Sequence, residues 1–186
     1  MGCLLVMKNK ALFLDRDGVI NIDHGYVHKA EDFHFVEGIF DLTREAVTKG
    51  YLIFVITNQA GIGRGFYSIH DFNLLTNWMC KRFLSEGVTL SKVYYSPYHP
   101  THGKGKYRQD HESRKPNSGM IDQAAEKFHV NLSESILIGD KLTDIQAGEN
   151  AGIGTNILYL GSDGVKPLSK LACHSVVTLH DAKLFI

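Results

Sequence analysis

Short apolar runs alternating with stretches of helical periodicity leave few folds open to this chain of 186 residues. Ala11-Leu12-Phe13-Leu14 runs straight into Asp15 and reads as a strand buried on both faces with a polar tip. Ile39, Phe40, Leu42, Ala46 and Val47 then recur at helical spacing within 36–50, with Gly50 as the stop. Residues 51–57 form a second buried strand. Residues 66–86 form a longer helix, with Ser68 as its cap and Gly87 as its terminator. Strands follow at 92–95, 135–139 and 155–160, with helices at 118–129 and 143–150, and 173–177 reads as an edge strand. This alternation implies right-handed crossovers. The expected fold class is α/β, a three-layer Rossmann-like, mostly parallel sheet with helices on both faces, and the length fits one domain over 1–186. Residues 1–8 are expected to be a leader ahead of the first strand, with Met7 as an alternative start.

One stretch escapes the pattern. Residues 96–117 hold three of the four prolines, two glycines and many charges, and ordered loops of such length usually carry function.

In parallel sheets, ligands bind at the carboxyl ends of the strands. Those tips here carry Asp15 and Asp17, then Thr57 and Asn58, then Asp140. Alone, D-x-D-G is a common turn, Thr57 is a β-branched strand end, and Arg114-Lys115 is a solvated charge pair. Together they make chemistry. Crowded carboxylates call for a cation, and three aspartates without a thiolate suit a hard one such as Mg²⁺. Phosphoryl groups are among the few electrophiles that an aspartate captures usefully, provided their oxygens are neutralised. The Thr57 hydroxyl and the Lys115 amine are the candidates for that task, beside the cation. Asp144 lies about a turn from Asp140 on the same helix face. It orients either the cation or Lys115, or else complements the helix dipole as a first-turn acid.

Asp15-x-Asp17-Gly18, Thr57-Asn58, Lys115 and Gly139-Asp140-x-x-x-Asp144, in this order, strongly resemble the motifs of the haloacid dehalogenase (HAD) superfamily of phosphotransferases. The resemblance spans nearly the whole chain and implies a HAD-like fold. It also implies that Asp15 is nucleophile and metal ligand, and that Asp17 is acid and base and binds the metal through its main chain. Thr57 and Lys115 would hold the phosphoryl group, and Asp140 would complete the magnesium site. The longer matches at 13–21, 57–65, Arg114-Lys115-Pro116 and 139–141 are similar to the sugar-bisphosphate 7-phosphatase and histidinol-phosphatase branch. That likeness implies substrate contacts from Asp23, His24, Gly25, Tyr26, Asn58, Gln59 and Ala60, with Arg114 and Lys141 meeting the sugar or a second phosphate. Many members of the branch hold zinc in the long loop, patterned Cys-x-His and Cys-x-Cys. The corresponding places here read Ser96-x-Tyr98 and His111-x-Ser113, so structural zinc is not expected, and His99, His102 and His111 read as polar loop residues. Between Asp17 and Thr57 there is room for about one helix and a flap, so no large cap is expected over the site.

The expected activity is magnesium-dependent hydrolysis of a small phosphorylated sugar through an aspartyl-phosphate. A histidinol-phosphate phosphatase is the first alternative and a non-catalytic phosphosugar binder the second. Lys+Arg and Asp+Glu both total 20, a balance that gives no footprint for a nucleic-acid backbone or an anionic membrane. Cys3, Cys80 and Cys173 are scattered without a C-x-x-C pair, which suits the reducing cytoplasm. A monomer is expected.

Overall fold

The computed structural model describes residues 8–161 and 174–186 of the chain. All of the expected leader but Lys8, and the pair Cys3 and Cys173, lie outside the described residues. Six strands form one sheet: β1 (Lys10–Leu14), β2 (Tyr51–Asn58), β3 (Lys92–Ser96), β4 (Ile136–Gly139), β5 (Thr155–Tyr159) and β6 (His174–Val176). Their order is β3-β2-β1-β4-β5-β6, and every pairing is parallel. Six α-helices connect or follow them: α1 (Ile39–Thr48), α2 (Ala60–Arg64), α3 (Ile69–Ser85), α4 (Gly119–Phe128), α5 (Leu142–Ala151) and α6 (Leu179–Ala182).

Strand alternation sorts the core into two sides of the sheet. From β1, Leu12 and Leu14 face a cluster completed by Ile39, Leu42 and Ala46 of α1, by Leu75, Met79 and Phe83 of α3, and by Leu179 and Ala182 of α6. Ala11 and Phe13 face the other way, against Met120, Ile121 and Ala124 of α4 and Ile145 and Ala147 of α5. Burial on both faces is why the central strands read as unbroken apolar runs. Ser68 caps α3 as its position predicts, accepting the Asp71 N–H while the Asp71 carboxylate accepts the Ser68 N–H.

The chain leaves β1 to build α1, β2, α3 and β3 on one flank, then returns through α4 to place β4 on the other side of β1. That reversal opens a crevice at the carboxyl tips between β1 and β4. The connections from β1 to α1 and from β2 to α3 carry only a 3-10 turn (Ala30–Asp32) and the short α2, so among the described residues no inserted domain stands over the crevice. No described helix is long and apolar enough to cross a membrane.

Phe54 of β2 is fully buried, stacked on Phe13 at 5.3 Å and edge-on to Phe128 at 5.0 Å. Phe54→Ala is expected to cost about 3–5 kcal/mol of stability, measured from the shift in the urea midpoint at unchanged slope. A loss below about 1 kcal/mol contradicts the core position given to this ring.

Candidate active site

At the crevice, four stretches of chain meet around one buried amine. Lys115 is 3% exposed, and its Nζ lies 2.8 Å from Asp15 Oδ1, 2.7 Å from Asp144 Oδ1 and 2.9 Å from the Ile56 carbonyl. Three acceptors match the three donors of an ammonium group, so the charge is fully satisfied without water. Against burial, which pulls it down, the carboxylates of Asp144 and Asp15 hold the Lys115 amine above its ordinary pKa. The Lys115 backbone is fixed in turn by Asn58. Its Nδ2 donates to the Lys115 carbonyl and its Oδ1 accepts the Lys115 N–H, both at 3.1 Å. Asn58, assigned to substrate by resemblance, thus also ties the tip of β2 to the end of the long loop.

Asp15 continues β1, its N–H donating to the Ile138 carbonyl at 3.0 Å. Its Oδ1 accepts the Arg16 N–H at 2.7 Å in addition to Lys115. Asp144 does both things that its position left open: its other oxygen accepts the Lys141 N–H at the start of α5, at 3.0 Å. Carboxylate oxygens of Asp15, Asp140 and Asp144 lie within 4.8 Å of one another. Burial first, then Asp144 and Asp140, push the Asp15 carboxyl up to about 8 in spite of Lys115. Burial likewise raises Asp140, with Asp144 adding to it and Lys141 opposing it. Gly18 makes room for this crowding. It has φ 100°, and a Cβ there would sit 2.3 Å from Asp140 Oδ2.

This donor set fits a hard divalent cation. Asp140 Oδ1 is buried without a hydrogen-bond partner, and burial, with Asp144 adding to it, holds the Asp15 and Asp140 carboxyls above their ordinary pKa. Both oxygens of Asp144 are already taken, by Lys115 and by the Lys141 N–H, whereas Asp15 meets Lys115 and the Arg16 N–H through one oxygen, Oδ1, which leaves Asp15 and Asp140 as the side chains able to hold the ion.

Asp17 sits beside this cluster in a different environment. Arg16, 1% exposed, grips it: Nη2 lies 2.8 and 2.9 Å from its two oxygens, and Nε lies 3.2 Å from Oδ1. Asn21 Nδ2 adds a bond to Oδ1 at 3.1 Å, and Gln59 Nε2 adds one to Oδ2 at 2.9 Å. Sequence reasoning missed Arg16, Asn21 and Tyr67. Arg16 had a signal, a cation between two aspartates at the end of a buried strand; Tyr67 had none.

Around these groups lies a cleft of about 410 Å³. Asp23, Gly25, Tyr26, Asn58, Gln59, Ala60, Arg114 and Lys141 all line it, as do Asp15, Asp17, Thr57, Lys115 and Asp144. Lys141 reaches Asp23 at 3.2 Å and Asp140 at 3.4 Å. His24 does not line the cleft. The Gly25 N–H bonds back to the Asp23 carboxylate at 2.9 Å, which leaves His24 at the apex of the turn with its ring edge-on to His34. In the long loop, the four positions that replace the zinc pattern touch one another. Ser113 Oγ meets Ser96 Oγ at 3.1 Å, and His111 stacks on Tyr98 at 3.9 Å with 9° between the rings. Arg114 Nη1 donates to the Tyr98 carbonyl at 2.9 Å, so this knot also sets the root of a residue lining the cleft.

Residues 112–181 match the HAD-hydrolase-like family model. The D-glycero-α-D-manno-heptose-1,7-bisphosphate 7-phosphatase of Burkholderia mallei is 54% identical over 157 residues, 84% of this chain and 83% of that protein. The D-glycero-β-D-manno-heptose-1,7-bisphosphate 7-phosphatase of Vibrio cholerae is 46% identical over 82% of each chain. The crystal structure of D,D-heptose 1,7-bisphosphate phosphatase from B. bronchiseptica, complexed with magnesium and phosphate, superposes with a TM-score of 0.77. It is 23% identical and covers 94% of this chain and 96% of that one.

A carboxyl raised from its ordinary 3.8 to about 8 binds its proton more tightly in the folded chain. Its contribution to stability is therefore present at low pH and lost as pH rises through 8. In chelator, the Tm is expected to fall from about pH 4 to about pH 8 from this group and to level off above that. A divalent cation must displace that proton, so Mg²⁺ binding is expected to release up to about one proton at pH 7 and none above about pH 9. Calorimetry in buffers of different ionisation enthalpy measures the release; an affinity that is flat from pH 6 to 9 contradicts the assignment.

Proposed function

The chain belongs to the HAD-like hydrolases, and on that basis we propose that it is a phosphomonoester hydrolase acting through an aspartyl-phosphate on Asp15. Its substrate in this reading is D-glycero-D-manno-heptose 1,7-bisphosphate, from which it removes the 7-phosphate to leave the heptose 1-phosphate. The observation that carries the chemistry is the Lys115 amine, 2.8 Å from the Asp15 carboxylate at the tip of β1. The two relatives at 54% and 46% identity, both named for this activity, support the substrate.

Asp15 and Asp140, with the main-chain carbonyl of Asp17, would hold Mg²⁺, as the buried, unpartnered Asp140 Oδ1 and the complex of the B. bronchiseptica enzyme suggest. When bound, the ion supplies positive charge against the phosphoryl oxygens and lets the buried carboxylates stay ionised.

The chain's own residues do the rest. A carboxylate oxygen of Asp15 forms a bond to phosphorus as the bond from phosphorus to the sugar oxygen breaks. Asp17 gives the departing oxygen a proton from Oδ2, which takes two hydrogen bonds where Oδ1 takes three. The same oxygen then removes a proton from water, which attacks phosphorus and frees Asp15 with release of phosphate. The Thr57 hydroxyl holds the phosphoryl oxygens in both steps, and the Lys115 amine joins it with the donor that Asp15 Oδ1 gives up on attacking phosphorus. Arg114 and Lys141, which line the cleft, are the cations for the remaining phosphate of a bisphosphorylated substrate. In the absence of a cap, the flap at 23–26 and the loop at 96–117 help the substrate to exclude water. The neutral charge balance supports a reading without nucleic-acid or membrane partners, and the scattered cysteines support a cytoplasmic one.

Phosphate release with Mg²⁺ tests the mechanism. Asp15→Asn is expected to abolish turnover, and Asp17→Asn to lower kcat by about 10²–10⁴-fold. Substantial turnover by Asp15→Asn removes the covalent route. A panel of both anomers of heptose 1,7-bisphosphate and histidinol phosphate tests the substrate; a higher kcat/KM for histidinol phosphate rejects the heptose reading.

A further inference from the structure

Asp17 and Thr57 come from different strand tips, yet one buried side chain touches both. Gln59 Nε2 donates to Asp17 Oδ2 at 2.9 Å and to Thr57 Oγ1 at 2.8 Å, and Gln59 Oε1 accepts from the Tyr67 hydroxyl at 2.6 Å. Both ends agree on which way the amide faces. The amide nitrogen meets two oxygens, Asp17 Oδ2 and Thr57 Oγ1, and the amide oxygen is then left for a donor. Burial pushes the Tyr67 hydroxyl well above its ordinary pKa, which keeps it a donor at any working pH. Gln59 itself is 1% exposed, so its amide has no water to fall back on.

The brace depends on Gly61. A Cβ at that position would lie 2.3 Å from the Tyr67 ring, so only glycine lets the ring lie close enough to reach Gln59. His28 holds the ring from the flap, stacked at 5.0 Å with 3° between the planes.

We propose that Gln59, braced by Tyr67, is a positioning residue for phosphoryl transfer: it steers Asp17 Oδ2 and frees the Thr57 proton for a phosphoryl oxygen. The second effect follows from donor counting. A threonine hydroxyl has one proton, and because Oγ1 accepts from Gln59, that proton remains available to the cleft. Resemblance gives Gln59 a substrate contact, and it lines the cleft; its hydrogen bonds add the alignment of two further groups. This inference rests on the phosphatase reading above.

Tyr67→Phe removes one hydrogen bond while keeping the ring, and Gln59→Met keeps the length of the side chain while removing its donors. Single-turnover release of the alcohol is measured from a sugar phosphate and from p-nitrophenyl phosphate, whose leaving group departs without a proton. Tyr67→Phe is expected to slow the sugar phosphate about 3- to 10-fold with KM nearly unchanged, and the aryl phosphate by a smaller factor. Gln59→Met is expected to slow it further, and adding Tyr67→Phe to that variant is expected to change the rate by less than about two-fold, because Tyr67 acts through Gln59. Equal losses on both leaving groups, a change confined to KM, or additive losses in the double variant overturn the inference while leaving the phosphatase reading in place. A wild-type enzyme inert toward every phosphomonoester overturns both. Should Gln59→Met fail to fold, the leaving-group comparison on Tyr67→Phe decides alone.

Discussion

The rest of the site depends on burying one ammonium ion between two carboxylates. Lys115 with Asp15 or Asp144 alone would leave a neutral pair; with both carboxylates ionised the triad would carry a net negative charge inside the protein, beside a third carboxylate on Asp140. Burial of that kind is costly and is tolerated where geometry satisfies every donor, as it does here for Nζ. The surplus negative charge prepares the tip of β1 for a cation. The same contacts act mechanically: they join β1, the end of β2, the approach to α4 and the first turn of α5 at one point.

Much of the fold was legible because strands covered on both faces must be apolar throughout, so the residues 11–14, 51–57 and 135–139 stand out from their surroundings. The polar tips were legible for the complementary reason, since a charge directly after such a run has nowhere to go except the sheet's edge. The short α2 was not legible: Gly61 and Gly63 remove the propensity signal, and the helix exists because its backbone is packed closely by Tyr67 and Pro97. Nor was the order within the long loop. The stack of Tyr98 on His111 and the Ser96–Ser113 bond join residues far apart in sequence, without periodicity to announce them. Asp17 was legible as a carboxylate, whereas its bidentate grip by Arg16 and its bond from Gln59 depend on side-chain directions that spacing does not encode.

Asp15 and Asp17 show how two residues apart can mean two environments. Asp15 is enclosed, paired with an amine and crowded by other acids, so its surroundings favour neutralisation by a proton or a metal. Asp17 is held from outside the cluster by a guanidinium and two amides, with part of the side chain still open. A nucleophile needs its charge kept close to phosphorus and an acid-base group needs access to a proton. The turn at Gly18 lets one short segment offer both environments.

The parallel pairing of β1 with β4 has a consequence for biosynthesis. Asp15 leaves the ribosome 100 residues ahead of its amine partner Lys115 and 129 residues ahead of Asp144, the last acid of the cluster. None of the electrostatic conflict at the crevice exists until the final central strand docks, by which time Lys115 has already been made. A nascent or truncated chain ending before residue 136 therefore carries an intact D-x-D-G motif and no catalyst, and hydrolytic competence arrives together with the closing of the sheet.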